Sequence, residues 1–207
     1  MTSAGVPPSP RWRPGPVRVW LIEPANEGTV TDLPHDGKLA DGSIPATPDD
    51  LFGRLEALGI ATSTLRHPPV FTVEEAKRLR GPVQGAHTKN LFLRDKKGRN
   101  MWLVVCLEDR EVNIRQLEAK LGSTRLSFGS AERLMKYLGV IPGAVTPFAV
   151  VNDKGGAVRV ALDRGALERE PLNFHPLDNA MTTSIGAQDF LRFLEAEGHA
   201  AELIDLG

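Results

Sequence analysis

Three short segments of the chain place reactive or backbone-fixing residues where local structure does not need them. The first is Gly85-Ala86-His87-Thr88-Lys89-Asn90, immediately before an apolar run. A lysine and an asparagine at a strand entrance can point into a cleft, although the same residues also read as a polar loop. The second is Gly139-Val140-Ile141-Pro142-Gly143-Ala144-Val145-Thr146-Pro147. Its prolines and glycines fix an unusual backbone path, so its amides can wall a small pocket or simply join a helix to a strand. The third is Leu172-Asn173-Phe174-His175-Pro176-Leu177-Asp178-Asn179, in which the proline biases His175 towards an extended conformation. A histidine at a strand end can reach a ligand, and it can equally be structural.

Other chemistries find no support. There is no Gly-rich phosphate loop ending in Gly-Lys-Ser or Gly-Lys-Thr, no dinucleotide fingerprint and no Gly-x-Ser-x-Gly elbow. None of His35, His67, His87, His175 and His199 pairs with another His, Cys or acid at a metal-site spacing, so neither a metal nor a cofactor is expected. The one cysteine, Cys106, lies inside an apolar strand run and reads as a core residue.

These segments need elements to hold them. Thr47-Pro48-Asp49-Asp50 is a helix start, and Leu51, Leu55 and Leu58 recur at helical spacing up to Gly59. Thr62 to Arg66 suits a strand, and Thr72 to Glu75 opens a second helix ending near Gly81. Asn90 to Arg94 and Asn100 to Leu107 form a hairpin around Asp95 to Arg99. Asn113 and Ser130 cap two further helices. Phe148 to Val151 and Val158 to Leu162 read as a second hairpin. Leu172 to Phe174, Thr182 to Ile185 and Ala201 to Ile204 are strand candidates, and Ala187 to Glu197 a helix. Hairpins outnumber crossovers, which predicts an α+β fold with a mixed, largely antiparallel sheet and helices outside it.

Composition sets the bounds. The chain has 207 residues, 41% of them hydrophobic and 25% charged, which suits one ordinary folded domain with an extension. Half of the 16 prolines fall within residues 1–46, so that segment reads as a disordered extension and residues 47–207 as the folded domain. No apolar run approaches a membrane span, no secretory signal is evident, and a single cysteine fits a reducing cytoplasm. The net charge of −1 does not announce a nucleic-acid binder. Its distribution is more telling: Lys77, Arg78, Arg80, Lys89, Arg94, Lys96, Lys97 and Arg99 are opposed only by Asp95. That run forms either a basic face or an ordinary solvated surface.

Taken together, His87-Thr88-Lys89-Asn90-Leu91-Phe92-Leu93, Gly143-Ala144-Val145-Thr146-Pro147-Phe148, and Asn173-Phe174-His175-Pro176 with Asn179 and Thr182 to Ile185 carry a resemblance. From about Thr47 to Leu206 the chain resembles the YbaK/prolyl-tRNA-synthetase-associated editing-domain family. Within it, the chain is most similar to the free-standing alanyl-tRNA(Pro) deacylases. Residues 1–46 are the departure, because compact members generally lack them.

The resemblance implies a sheet curling into a partial barrel and an ester hydrolase that clears mischarged alanyl-tRNA(Pro). It implies catalytic roles for Lys89, Asn90, Gly143 and His175, and a substrate pocket formed by Ala144, Val145, Thr146, Pro147 and Phe174. The implied partners are the acceptor end of mischarged tRNA, met by Lys77, Arg78 and Arg80, and prolyl-tRNA synthetase, with no membrane or DNA partner. Two other readings stay open: another mischarged substrate such as cysteinyl-tRNA(Pro), and a non-catalytic tRNA-binding or synthetase-associated module. The expectation common to the enzymatic readings is that the three segments converge.

Overall fold

The computed structural model describes residues 20–21, 37–69 and 84–207. The expected helix from Thr72 and the cations Lys77, Arg78 and Arg80 lie outside the described residues. Among those described, no helix is long and apolar enough to cross a membrane.

The helices form where their caps place them. Thr47 accepts from the Asp50 amide while the Asp50 carboxylate accepts from the Thr47 amide, a reciprocal cap that starts α1 (Pro48–Ala57). Leu51 and Leu55 give α1 its buried stripe. Asn113 caps α2 (Ile114–Lys120) and Ser130 caps α3 (Ala131–Leu138), which ends on Gly139 in the left-handed region at φ 65°. A single turn, α4 (Arg164–Leu167), and α5 (Ala187–Ala196) are the remaining helices among the described residues.

Among the described residues nine strands make one mixed sheet: β1 (Trp20–Leu21), β2 (Thr62–Arg66), β3 (Ala86–Arg94), β4 (Met101–Leu107), β5 (Ser127–Phe128), β6 (Val158–Asp163), β7 (Leu172–Phe174), β8 (Met181–Ile185) and β9 (Glu202–Ile204). They run in the order β1-β2-β8-β7-β3-β4-β6-β9, with β5 alongside β3, and this path does not close into a barrel. Antiparallel ladders join β2 to β8, β8 to β7, and β3 to β4 and β5. Parallel ladders join β1 to β2, β3 to β7, β4 to β6 and β6 to β9.

Every residue of the central strand β4 is buried, because both faces of the sheet are covered there. The larger core packs Leu103, Val105, Leu162, Leu172 and Phe174 against Leu55 of α1, Leu138 of α3 and Phe190 and Phe193 of α5. The smaller core packs Leu93, Trp102, Val104 and Ala161 beneath Leu117 and Leu121. Each fully buried leucine or phenylalanine contributes roughly 1.5–3 kcal/mol.

Two expectations need correction. Phe148 to Val151 is not a strand. Pro147–Asn152 is a 3-10 helix, with the Thr146 hydroxyl accepting from the Phe148 amide and Pro147 presetting the first turn, so the second hairpin does not exist. The strand placed at Asn90 starts instead at Ala86, because pairing with β4 and β7 draws His87, Thr88 and Lys89 into the ladder despite their polarity. Contacts with the body also reach back before Thr47. Leu39 is buried, the Ala40 amide donates to Lys136, and the Ala46 amide donates to the Asn152 carboxamide.

Candidate active site

The sheet splits along β3. This strand pairs with β7 only through Ala86 and His87, and with β5 only through Leu93 and Arg94. From Thr88 to Leu91 it has β4 on one side and, among the described residues, no strand on the other. All three polar segments border this free edge.

Strand alternation sends consecutive side chains to opposite faces. Asn90 pairs in register with Val105, a residue of the larger core, so its side chain lies on that face. There its amide nitrogen donates to the Val145 carbonyl at 2.9 Å and clasps the 143–147 loop to β3. The carbonyl acceptor fixes the orientation of the carboxamide. The other end, Asn90 Oδ1, is buried and has no partner among the described residues.

The loop itself is rigid for identifiable reasons. Gly143 stands at φ 90°, which favours glycine. At the loop's root, Asn152 donates to the Leu138 carbonyl and accepts from the Ala46 amide, so residues 45–46 brace it. The Ala144 amide donates to Ile141 and the Phe148 amide to Thr146. The amides of Gly143 and Val145 have no acceptor among the described residues.

On the opposite face lies a polar surface running across β8, β7 and β3. Ser184 donates to Asn173 Oδ1 at 2.6 Å, and Asn173 holds the Gln84 and Ala86 carbonyls; Thr88, which has the parity of Asn90, donates to the Asn173 carbonyl at 3.2 Å. His175 follows β7. Its Nδ1 meets the Met181 carbonyl at 2.7 Å, so that nitrogen carries the proton, and Nε2 of the neutral ring has no hydrogen-bond partner among the described residues. Burial, the dominant cause, holds His175 below its ordinary value. The neighbouring His67 acts in the same sense, while the Met181 bond opposes both.

Lys89 shares this face with His87, whose register partner is Asn173. The Lys89 ammonium donates to the Arg110 carbonyl, and Arg110 in turn reaches the wholly buried Asp163 at 3.3 Å. Cys106, the partner of Lys89 in β4, is sealed in the interior. Burial pushes its thiol up to about 11, with the Lys89 charge working against that rise, so a thiolate nucleophile is not on offer.

The structure thus joins Asn90 to the Gly143–Pro147 loop, and sets Lys89 and His175 around the same edge from the other face. It does not bring every expected side chain to the edge. Phe174 is buried among Phe148 and Phe190, with ring centroids at 5.6 and 4.7 Å. The Thr146 hydroxyl is used as a cap, and Ala144 and Pro147 are buried in the loop's own packing.

His67 was not anticipated. It is buried, faces the Pro68 carbonyl through Nδ1 and Thr182 Oγ1 through Nε2, and lies 6.2 Å from the His175 ring. The sequence did carry a usable signal, since His67-Pro68 and His175-Pro176 are the same dipeptide at two strand ends.

Comparison with known proteins adds a family. Residues 67–193 match the model of the aminoacyl-tRNA editing domain. The prolyl-tRNA editing protein ProX of Acetoanaerobium sticklandii is 38% identical over 156 residues, covering 75% of this chain and 95% of that protein. Prolyl-tRNA synthetase associated domain-containing protein 1 of Mus musculus is 42% identical over 154 residues, covering 72% and 90%. A solved structure described as a candidate trans-editing enzyme for prolyl tRNA synthetase superposes with a TM-score of 0.61 at 18% identity, over 79% of this chain and 98% of that one. That last likeness speaks for the fold alone.

Proposed function

The chain belongs to the aminoacyl-tRNA editing domain family, and from that premise we propose that it is a free-standing hydrolase of mischarged alanyl-tRNA(Pro), working on the tRNA in the cytoplasm. The observation that carries this reading is the clasp between Asn90 and Val145, which holds the 143–147 loop to β3 and sets a buried acceptor beside amides that have no partner among the described residues.

An aminoacyl ester is activated and needs positioning and charge stabilisation more than a strong nucleophile. Water adds to the ester carbonyl, the acyl–oxygen bond breaks, and the ribose oxygen leaves with a proton. The Gly143 and Val145 amides donate to the carbonyl oxygen as negative charge develops. Asn90 Oδ1 accepts from the substrate's α-ammonium while its amide nitrogen holds the loop.

Lys89 has three N–H donors and spends one on Arg110, which leaves two for a phosphate or the terminal ribose. His175 lines the pocket as a neutral acceptor. Ala144, Thr146, Pro147 and Phe174 give the pocket its rigid backing, and Lys77, Arg78 and Arg80 bind phosphates of the acceptor stem. Residues 47–207 form the editing domain, and prolyl-tRNA synthetase is the partner whose errors it corrects.

Specificity follows from size. A pocket that admits a methyl side chain excludes the proline ring sterically, which discriminates more strongly than the ~10- to 200-fold available when the competitor is one methylene smaller. Release of amino acid from purified alanyl-, cysteinyl-, seryl- and prolyl-tRNA(Pro) tests the assignment. Preference for the alanyl ester supports it, preference for the cysteinyl ester replaces it, and tRNA binding without any release removes the catalytic reading.

A further inference from the structure

β5 is a two-residue strand on the rim of the sheet, and it carries an aromatic ring into solvent. Phe128 is 64% exposed, while its register partner Leu93 is fully buried. The segment is pressed tightly onto β3. The Gly129 amide donates to the Phe92 carbonyl at 2.9 Å, and a Cβ at Gly129 would stand 2.4 Å from the Phe92 ring. Phe128 is therefore held out rigidly.

Several cations lie near it in the chain and along the ladder. Ser127 pairs with Arg94, the last residue before the β3–β4 turn, which presents Lys96, Lys97 and Arg99 to solvent. Arg133 ties that turn to α3 through the Gly98 carbonyl. Arg125 is exposed and stands at φ 54°, a conformation that favours glycine. The chain is held there by Glu118, whose carboxylate accepts from the Leu126 amide and whose carbonyl accepts from Ser123. Keeping an arginine in that strained position points to a use for its charge. The acids nearby are Glu118, committed to Leu126, Asp95, committed to Arg99 and Asn100, and the exposed Glu132.

A single exposed ring with cations near it in the chain and in the ladder is too small for a protein interface, which needs on the order of 1,000 Å². It suits a polyanion with accessible base faces, which means unpaired nucleic acid and not a duplex, whose base faces are hidden. Leu93 lies four residue steps beyond Lys89, about 13 Å along β3 at the usual rise. Register parity puts Phe128 on the same face of the sheet as Lys89.

We propose that Phe128, Arg125 and the β3–β4 turn form a binding surface for the unpaired 3′ end of RNA, with one base stacked on Phe128 and its phosphates met by Arg125 and the turn. This rests on the tRNA substrate proposed above and names the surface that grips the strand leading into the site.

The test uses the full chain and uncharged tRNA(Pro), either intact or trimmed of its unpaired 3′ nucleotides. Phe128→Ala is expected to weaken binding of intact tRNA about tenfold or more, to leave trimmed tRNA unaffected, and to melt like the parent; Phe128→Trp is expected to retain affinity. Arg125→Gly relieves strain, so it should melt no lower than the parent. It should nevertheless bind intact tRNA more weakly, with a salt dependence shallower by about 0.7 in log–log slope. Equal affinity of Phe128→Ala for intact tRNA, or an equal loss on trimmed tRNA, overturns the proposal, as does a change in oligomeric mass that marks Phe128 as a contact between copies. The two readings fail separately. A protein that binds in this pattern yet releases no amino acid loses its deacylase assignment and keeps this surface. One that hydrolyses alanyl-tRNA with KM unchanged by Phe128→Ala keeps the activity and loses the surface.

Discussion

Asn90→Leu separates what the clasp does for stability from what it does for catalysis. The wild-type carboxamide gains one hydrogen bond, Nδ2 to the Val145 carbonyl at 2.9 Å, worth about 1 kcal/mol net. It also buries Oδ1 with no partner among the described residues, which costs about 1–3 kcal/mol. Leucine has a similar shape and removes both contributions, but it also takes the donor from the Val145 carbonyl, which costs about 1–3 kcal/mol. These contributions largely offset, so the stability should stay within ~3 kcal/mol of the parent, with Tm moving roughly 2–4 °C per kcal/mol for a domain of this size. Activity should move further. A hydrogen bond to a charged group contributes about 1.5–3 kcal/mol, so losing the acceptor for the α-ammonium lowers kcat/KM on alanyl-tRNA(Pro) by ~10- to 150-fold. Slackening of the loop lowers it further. Thermal melts and single-turnover deacylation read the two effects independently. A variant that hydrolyses at the parental rate, whatever its melt, would show that Oδ1 has no role with substrate.

Lys89→Ala removes a side chain whose one bond among the described residues is to the Arg110 carbonyl, so its melt should stay within a few degrees; single-turnover hydrolysis should fall ~10- to 150-fold, and parental turnover refutes its role. Because burial holds His175 below its ordinary value, the ring stays neutral below pH 6.5, and any acid limb it imposes on kcat/KM lies below that pH. The stability sign follows: the unfolded ring takes its proton near 6.5 and the native ring only at lower pH, so the His175 contribution is complete above about pH 6.5 and is lost as pH falls from there towards the native value. Denaturant melts at pH 7.5 and 5.0 should show this drop in the parent and a smaller one in His175→Gln. Gly85→Ala would put a Cβ 2.0 Å from the Pro171 carbonyl at φ 104°, so it should cost more than ~3 kcal/mol and loosen the pairing of β3 with β7; a melt within 2 °C of the parent contradicts that close approach.

Capped helices were legible because their signals are local. Thr47 with Asp50, Asn113, and Ser130 with Gly139 each place a boundary through hydrogen bonds made within four residues. The 147–152 segment was misread because an apolar run of that length suits a strand or a buried helix equally, and the deciding features, Pro147 and the Thr146 cap, sit at its edge. The early start of β3 was hidden for the opposite reason. His87 to Asn90 look like a loop until β4 and β7, distant in sequence, offer them ladders. Of the candidate site, Lys89, Asn90, the 143–147 loop and His175 are proposed from residue types and resemblance. The division of Lys89 and Asn90 between two faces needed the pairing register, and His67 needed the third dimension to meet Thr182 and His175.

That division gives the Lys89-Asn90 order a physical reason. The substrate has two unlike ends: a small acyl ester that must sit against fixed amides in a dry recess, and a polyanion that must stay near water and cations. Adjacent residues of one strand reach opposite faces, so a single free edge can offer a neutral carboxamide to the first and an ammonium to the second. Such an arrangement tolerates no slip. Shifting β3 by one residue against β4 would put the lysine against the 143–147 loop, and would also drive Phe92 out of the larger core and Leu93 out of the smaller one. Burying those two side chains on opposite faces therefore fixes the register that positions the chemistry a few residues earlier. The packing of Phe92 and Leu93 specifies the site as directly as Lys89 and Asn90 do.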